Sequence, residues 1–512
     1  MRYILAYDLG TGGTKACLYT VEGILAAAEF ASVKTYFPQE RFHEQRPEDW
    51  WRSVTDSTCR LFASSGIMPG EVAAVAVSGH SLGAVPVDKR GKGLVDQTPI
   101  WSDARASEQC ERFFQKVSEP SWYLTTGCGF PASLYTIFKI MWLRDHDPSL
   151  YNQAVMFLGS KDYVNARLTG VLVTDHSYAS GSGAYDLRKR AYNTAYIAAS
   201  GIAPEKLPPI VNSHSILGGL TKEAAETLGL QAGIPVACGG VDNACMALGA
   251  GCVTEGAAYT SLGTSAWIAV ISHEPIVNLN KRSYVFAHCV PNMFTSATTI
   301  FSAGNSLRWI KNELCRDLIA EAELAGKDVY DLITGLASAS PAGANKLLFN
   351  PSLAGGSATE KSPDIRGALL GLTLGHTRSD VLRAVLEGIA LNLRQSLDVL
   401  AEMAEVSLDM LVVGGGGKSK FWRQIFADCY EKNILQSSVE QDAGSLGAMA
   451  CACVGLGLWE DFTRVKEAHH IRSTFKPIED NVRVYRRILP LFEQAADMQA
   501  KLGDALAALR LE

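Results

Sequence analysis

The stretch Tyr7 to Thr20, YDLGTGGTKACLYT, sets one carboxylate, Asp8, near the end of an apolar run and follows it with a glycine-rich turn. Successive small residues let backbone N–H groups converge on an anion with no side chain in the way. The turn from Gly10 to Thr14 can therefore hold phosphate; the plainer alternative is a turn that only reverses the chain. Lys15 beside it either adds positive charge near a phosphate or is an ordinary solvated strand lysine. A second Leu-Gly-Thr, at 262 to 264, lies between two further apolar runs in GAAYTSLGTSAWIAVIS, so Gly263 and Thr264 repeat the strand-turn-strand context. Four consecutive glycines, 414 to 417, follow the apolar run Met410 to Val413. Ordering each costs roughly 0.5–1 kcal/mol relative to alanine in regular structure, which marks a close approach of backbone to something, and adenine or ribose fits that space. Asp242, in GGVDNACMALG, sits in a glycine turn at a strand end and opens a helix. A carboxylate there serves as a general base in a cleft or as the helix N-cap, and the two roles can coexist.

Several other chemistries are excluded. The glycines of GGGGKS are followed by Lys420 and Phe421, which breaks a dinucleotide-binding GxGxxG, and no GxxxxGK[ST] surrounds Lys15. The 10 histidines form no HExxH and the 12 cysteines no CxxC framework, so neither predicts a metal site. Cys245 and Cys252, seven apart, read as a core stripe on one helix face.

These groups need a scaffold. RYILAYD and KACLYTVEG read as two strands of a hairpin. HEQRPEDWWRSVTDSTCRLFASSG reads as a helix with Pro47 in its first turn, Glu48 and Asp49 at its positive end and Gly66 past its last turn. A buried strand ending at Ser78, a polar turn to Gly83 and a further strand come next, then a helix entered at Asp103. Alternation of strands and helices predicts an α/β class with a mixed sheet covered by helices. Two hairpins with similar turns, one opening each half, suggest a duplicated architecture whose turns face each other across a cleft. At 512 residues the chain is long enough for two to three domains. A net charge of −6, with 20% charged and 47% hydrophobic residues, gives no footprint for nucleic acid or an anionic membrane, so small solutes are the expected partners. Ala443 to Trp459 is short of the ~20 apolar residues of a membrane span and reads as a buried helix. The N-terminus enters a strand with no signal-like segment, so a cytoplasmic location is expected. A homodimer stays open.

The motifs YDLGTGGTK, EQRPEDWW, VSGHSLG, PIWSDAR, GGVDNACMALG, SLGTS, FSAGNSLRW, GALLGLTLGHTRSDVLRAVLEGIA, VVGGGGKSKFWRQIFADCY and DAGSLGAMACA fall in one family's order. On them the chain resembles the FGGY carbohydrate kinases of the actin-like ATPase superfamily, and looks most like their xylulokinase branch. The resemblance implies two ribonuclease-H-like domains, 1–250 binding the sugar and 251–512 binding ATP, closing over a deep interdomain cleft. It implies phosphate contacts at Gly10, Thr11, Gly12, Gly263 and Thr264, nucleotide contacts at Gly304 and Arg308, and an adenosine motif at Gly415 and Ser419. Asp242 matches the family's catalytic aspartate. Asp8, beside a phosphate-holding turn, then suits Mg²⁺, a hard cation that wants oxygen ligands; otherwise it only stabilises the turn.

The sugar-reading candidates are Trp101, Asp103, Asn243 and the turn of His80, Ser81 and Leu82. Where relatives read Gln-Met-His-Gly, this chain reads His80-Ser81-Leu82-Gly83, so Leu82 holds the substrate histidine's place, and His80 either compensates or is a satisfied loop residue. Ser352 to Pro363 also lacks the family's Gly-Glu-Arg-Thr-Pro loop. The resemblance implies ATP-dependent phosphorylation of a pentulose such as xylulose; the alternatives are another ketose or sugar alcohol, or a non-catalytic nucleotide-binding sugar sensor.

Overall fold

The computed structural model describes residues 2–357, 360–439 and 441–509. Its first strand, β1 (Tyr3–Gly10), buries Ile4, Leu5, Ala6 and Tyr7 completely. A run apolar on both faces demands cover on both sides of its sheet. β2 (Gly13–Thr20) returns antiparallel with Asp8 opposite Lys15, and β3 (Leu25–Ser32) continues the meander. Helix α1 (Pro47–Ser65) packs on β2 and β3; Pro47 starts it, Glu48 and Asp49 lie in its first turn, and Gly66 ends it at φ 70°. β4 (Val72–Gly79) joins β1 in parallel and sets Ser78 beside Asp8. β5 (Val85–Val87) leaves that sheet and, past helix α2 (Thr136–His146), pairs with β6 (Met156–Leu158). β7 (Ile216–Gly219) and β8 (Pro235–Ala237) complete a six-stranded sheet of order β7-β8-β4-β1-β2-β3, and α3 (Asp242–Gly249) follows β8.

The second sheet repeats the plan. β9 (Ala258–Leu262) and β10 (Ala266–Ser272) form a hairpin, and β11 (Tyr284–Ala287) and β12 (Phe294–Ile300) extend it. Helices α4 (Gly304–Leu314), α5 (Val329–Ala337) and α6 (Arg378–Ala401) precede β13 (Asp409–Val413), which lies parallel to β9. Then come α7 (Lys420–Tyr430), β14 (Asn433–Ser437), α8 (Ala443–Gly455), the antiparallel edge β15 (Ile471–Phe475) and α9 (Glu479–Ala508). The order is β11-β12-β10-β9-β13-β14-β15. Apart from the outer β11, both sheets show a three-strand antiparallel meander, two parallel strands beyond it and an antiparallel edge.

α3 and α8, which follow equivalent strands, cross where the halves meet. A Cβ on Gly249 would lie 1.8 Å from the Ala443 carbonyl oxygen, and one on Gly447 1.9 Å from that of Cys245, so only glycine permits this approach. Every α8 residue from Ala443 to Cys453 is buried, as its apolar sequence requires of a helix surrounded on all faces. Leu446 and Met449, fully buried there, contribute roughly 1.5–3 kcal/mol each.

Two local expectations change. The helix expected at Asp103 starts at Ser107, because the Asp103 N–H closes a turn on the Ile100 carbonyl (3.0 Å). Cys252 lies beyond the end of α3, so it shares no helix face with Cys245, although both are buried. Among the described residues no helix is long and apolar enough to cross a membrane.

Candidate active site

The turn between β1 and β2 is held from outside. Trp101 Nε1 donates to Thr11 Oγ1 (2.9 Å), Gln45 Nε2 to the Thr11 carbonyl (2.7 Å), and the Val33 N–H to the Gly12 carbonyl (2.9 Å). Its glycines divide into two kinds. Gly13 is required by the fold, with φ 152° and the Ala31 oxygen 2.2 Å from any Cβ. Gly10 and Gly12 are not: a Cβ on Gly10 would make one ordinary contact at 3.7 Å, and one on Gly12 would meet nothing within 4 Å. Gly263 and Gly415 behave like Gly10 and Gly12. All four leave open backbone beside a turn, which is the space an approaching phosphate or nucleoside requires.

Asp8 projects from β1 between Ser78 and Lys15. Burial raises its carboxyl above the usual range, the Ser78 hydroxyl and Lys15 pull it back, and Asp442 pushes it up. Lys15 is not a solvated strand lysine: its ammonium pairs with Asp442, the residue preceding α8, and so ties β2 to the second half. Asp8 also lies against Gly444, where a Cβ would sit 2.5 Å from its Oδ2.

Asp242 is the first residue of α3. The N-cap is Val241, and among the described residues the Asp242 side chain accepts only from its neighbour, the Asn243 N–H (2.8 Å), so the carboxylate does not serve as the cap. Burial, then the charge of Asp8, push its carboxyl up to about 7. A carboxyl poised near neutrality can take a proton from a hydroxyl and hold it. The two acids thus share one environment. Among the described residues no three His, Cys, Asp or Glu side chains converge as a metal cage. A single carboxylate beside phosphate oxygens is nonetheless the donor set Mg²⁺ accepts, with water completing its shell.

The sugar candidates separate. Trp101 is 39% exposed and joins the first turn through Thr11. Ser81 and Leu82 are buried, and Leu82 holds φ 61°, a left-handed conformation that is a genuine outlier for so bulky a residue. His80 is buried edge-on to Trp50 (centroids 5.2 Å apart), neither ring nitrogen has a hydrogen-bond partner among the described residues, and burial pulls its imidazole down to about 4. It is a neutral, unsatisfied group, not a satisfied loop histidine. Asp103 does not present a free carboxylate: it is fully buried, with Oδ1 held by Arg105 Nε (2.9 Å) and Oδ2 by Arg105 Nη2 (2.7 Å) and the His43 N–H (2.8 Å). Asn243, half-buried, follows Asp242. In the loop Ser352 to Pro363, Ala358 and Thr359 lie outside the described residues, and Glu360 accepts from Asn392 Nδ2 (3.0 Å).

The second half opens on a cavity of about 400 Å³ that brings Gly263, Thr264, Gly304, Arg308, Gly415 and Ser419 together. The start of α4 is stitched to the second turn: the Gly304 N–H donates to the Gly263 carbonyl (3.0 Å) and the Asn305 N–H to that of Thr264 (3.0 Å). Ser419 caps α7 through the Trp422 N–H (3.3 Å), and Arg308 contacts Asn305 Oδ1. One wall went unforeseen: Asp328, Tyr330, Asp331 and Thr334, from the start of α5. Its only signal was Asp328 before an amphipathic run, a capping aspartate that does accept from the Tyr330 N–H (2.9 Å).

Family models place the chain. The N-terminal domain of the FGGY family of carbohydrate kinases matches residues 3–249 and the C-terminal domain residues 258–456. The chain is 30% identical over 510 residues to the xylulose kinase of Lactococcus lactis subsp. lactis, covering 99% of each chain. It is 29% identical over 512 residues to that of Bacillus subtilis (100% of each), and 27% identical over 491 residues to the gluconokinase of Bacillus licheniformis (96% and 94%). Among solved structures, the xylulose kinase from Rhodospirillum rubrum superposes with a TM-score of 0.87 at 26% identity, covering 98% of this chain and 100% of that one. Plasmodium falciparum glycerol kinase with ADP, at 19% identity, shares the fold with a TM-score of 0.84 over 100% and 99%. With its two ribonuclease-H-like halves in the actin-like arrangement, the chain belongs to the FGGY family of carbohydrate kinases and is an ATP-dependent sugar phosphotransferase.

Proposed function

We propose that the substrate is a neutral ketopentose of the xylulose type, phosphorylated on a primary hydroxyl with Asp242 as the general base. Residues 1–250 form the sugar-binding half and 251–512 the ATP-binding half. The observation that carries the reading is Asp242 itself: uncapping, desolvated, beside Asp8, with a carboxyl near neutrality. Asp242 takes the hydroxyl proton as the oxygen's electron pair attacks the γ-phosphorus, and the bond to ADP breaks. Gly10, Thr11 and Gly12 receive phosphate from one side and Gly263 and Thr264 from the other, while Gly304, Arg308, Gly415 and Ser419 hold the nucleoside end. Mg²⁺, held by Asp8, would supply charge neutralisation on the phosphates. Closure of the two halves about α3 and α8 excludes water.

Gluconokinases are relatives at similar identity, but a sugar acid needs a cation. Of the cations near the candidate sugar and phosphate turns, Arg105 is bound to Glu44 and Asp103, Lys15 to Asp442, and Lys139 to the Leu82 and Ile100 carbonyls. A neutral sugar fits better. His80 then supplies the imidazole that Leu82 cannot, as a donor or acceptor to a sugar hydroxyl. Initial rates with ATP, Mg²⁺ and D-xylulose, D-gluconate or glycerol test this: kcat/KM for D-xylulose is expected to exceed the others by about 100-fold. Preference for D-gluconate would overturn the substrate while leaving the kinase intact.

A further inference from the structure

Lys139, in α2, is 1% exposed and makes no ion pair within 4 Å among the described residues. Its ammonium donates to two backbone carbonyls, Leu82 (2.8 Å) and Ile100 (2.6 Å). Burying a cation without a carboxylate partner is costly, and here burial pulls the amine down to about 7, with Arg105 lowering it further and Asp103 partly offsetting them. Those two carbonyls belong to the two segments that carry the sugar candidates. One is the turn His80-Ser81-Leu82-Gly83, where Leu82 holds the left-handed φ of 61°. The other is the turn before Trp101, whose indole reaches Thr11 in the phosphate turn. The same helix also holds the neighbouring residue, since Thr136 Oγ1 donates to the Gly83 carbonyl (3.3 Å).

We propose that Lys139 is a positioning residue for the sugar site: its ammonium clamps the Leu82 and Ile100 carbonyls together and so fixes the strained substrate turn against the Trp101 turn. It touches neither sugar nor nucleotide. Lys139 lines a cavity of about 240 Å³ with Glu44, Arg105 and His146. The kinetic consequence rests on the sugar-site reading above, whereas the clamp itself does not.

Two arms separate them. Hydrogen exchange on wild-type and Lys139→Met protein, without substrate, reads the clamp: amides of residues 80–83 and 100–103 are expected to exchange about tenfold faster, with β1 and α1 unchanged. Unchanged exchange in both turns, or an equal increase throughout the first half, would overturn the proposal. Steady-state kinetics with D-xylulose reads the consequence: KM for the sugar rises about tenfold while KM for ATP stays within about twofold. Sugar and ATP constants rising together contradict a positioning role. Should Lys139→Met fail to fold, Lys139→Gln keeps N–H donors on a shorter stem and is expected to show the same exchange pattern at smaller amplitude. In Lys139→Ala, 20 mM propylammonium is expected to restore protection of both turns by entering the cavity; failure to do so in the folded variant counts against the clamp.

Discussion

Superposing the two halves by strand order sets Asp8-Leu9-Gly10-Thr11 against Ser261-Leu262-Gly263-Thr264, and Asp242 at the start of α3 against Asp442 before α8. The turns are alike and the charges are not. In the first half Asp8 faces Lys15 across the hairpin; in the second the corresponding strand position, Ser261, pairs with Trp267. Asp442 is paired with Lys15, while its counterpart Asp242 has no ion pair among the described residues and a carboxyl raised to about 7. The first turn is fastened by side chains and carries acids; the second is fastened to a helix N-terminus by backbone and opens on the nucleotide-sized cavity. Two halves of like strand plan thus differ in charge at equivalent positions, and the proposed division into a chemical half and a nucleotide half rests on that difference.

The sharpest way to break this comparison is to remove each of the paired acids. Asp242→Asn is expected to lower kcat about 10³-fold with ATP affinity within about twofold by calorimetry. Asp442→Asn loses only a part-exposed ion pair and is expected to cost less than about tenfold. Similar losses from both would erase the distinction between them. Next in size are the turn glycines. An alanine methyl at 304 would sit 2.3 Å from the Gly263 oxygen and displace the second turn, so Gly304→Ala should raise KM for ATP about tenfold and lower Tm. At Gly12 the methyl meets no protein atom within 4 Å; Gly12→Ala should leave Tm within about 1 °C yet also raise KM for ATP, because the obstruction falls on the ligand. An unchanged KM would show that nothing approaches that backbone.

The smallest effect is on stability. Folding raises the Asp242 carboxyl from 3.8 to about 7, so the folded state binds that proton more tightly and is penalised as pH rises through 7. Asp242→Asn removes the penalty. Its unfolding free energy is expected to exceed wild type by about 2 kcal/mol at pH 8, after allowance for solvent screening, and the gain should vanish by about pH 4. A gain that grows toward acid pH would have the wrong sign.

Much of this was legible in the chain. Period-2 and apolar runs gave both hairpins, Pro47 and Gly66 bounded α1, and the run from Ala443 announced a helix buried on all sides, because those signals are local. Six of the residues expected around the nucleotide meet in one cavity: the glycine turns at 263 and 415 are local signals, whereas Gly304, Arg308 and Ser419 were expected from the family resemblance alone. What escaped was non-local. The α5 wall is built of residues about 65 to 70 positions from Gly263, on a helix rather than a glycine-rich turn. Lys15 and Asp442 are separated by 427 positions, so nothing near Lys15 shows that its charge is spoken for. Asp103 looked like a hydroxyl reader until Arg105, two residues on, proved to occupy both its oxygens. The clamp by Lys139 was equally hidden, since a lysine in a helix gives no sign that it is buried.

The central claim is that the unpaired acid of the first half is the base, and the pH dependence of kcat/KM for D-xylulose tests it most directly. The account predicts a decline of tenfold per unit below an apparent pKa near 7 in wild type, kept in Asp442→Asn and absent from the residual activity of Asp242→Asn. A wild-type profile flat from pH 5 to 8, or one whose acidic limb survives in Asp242→Asn, would contradict it.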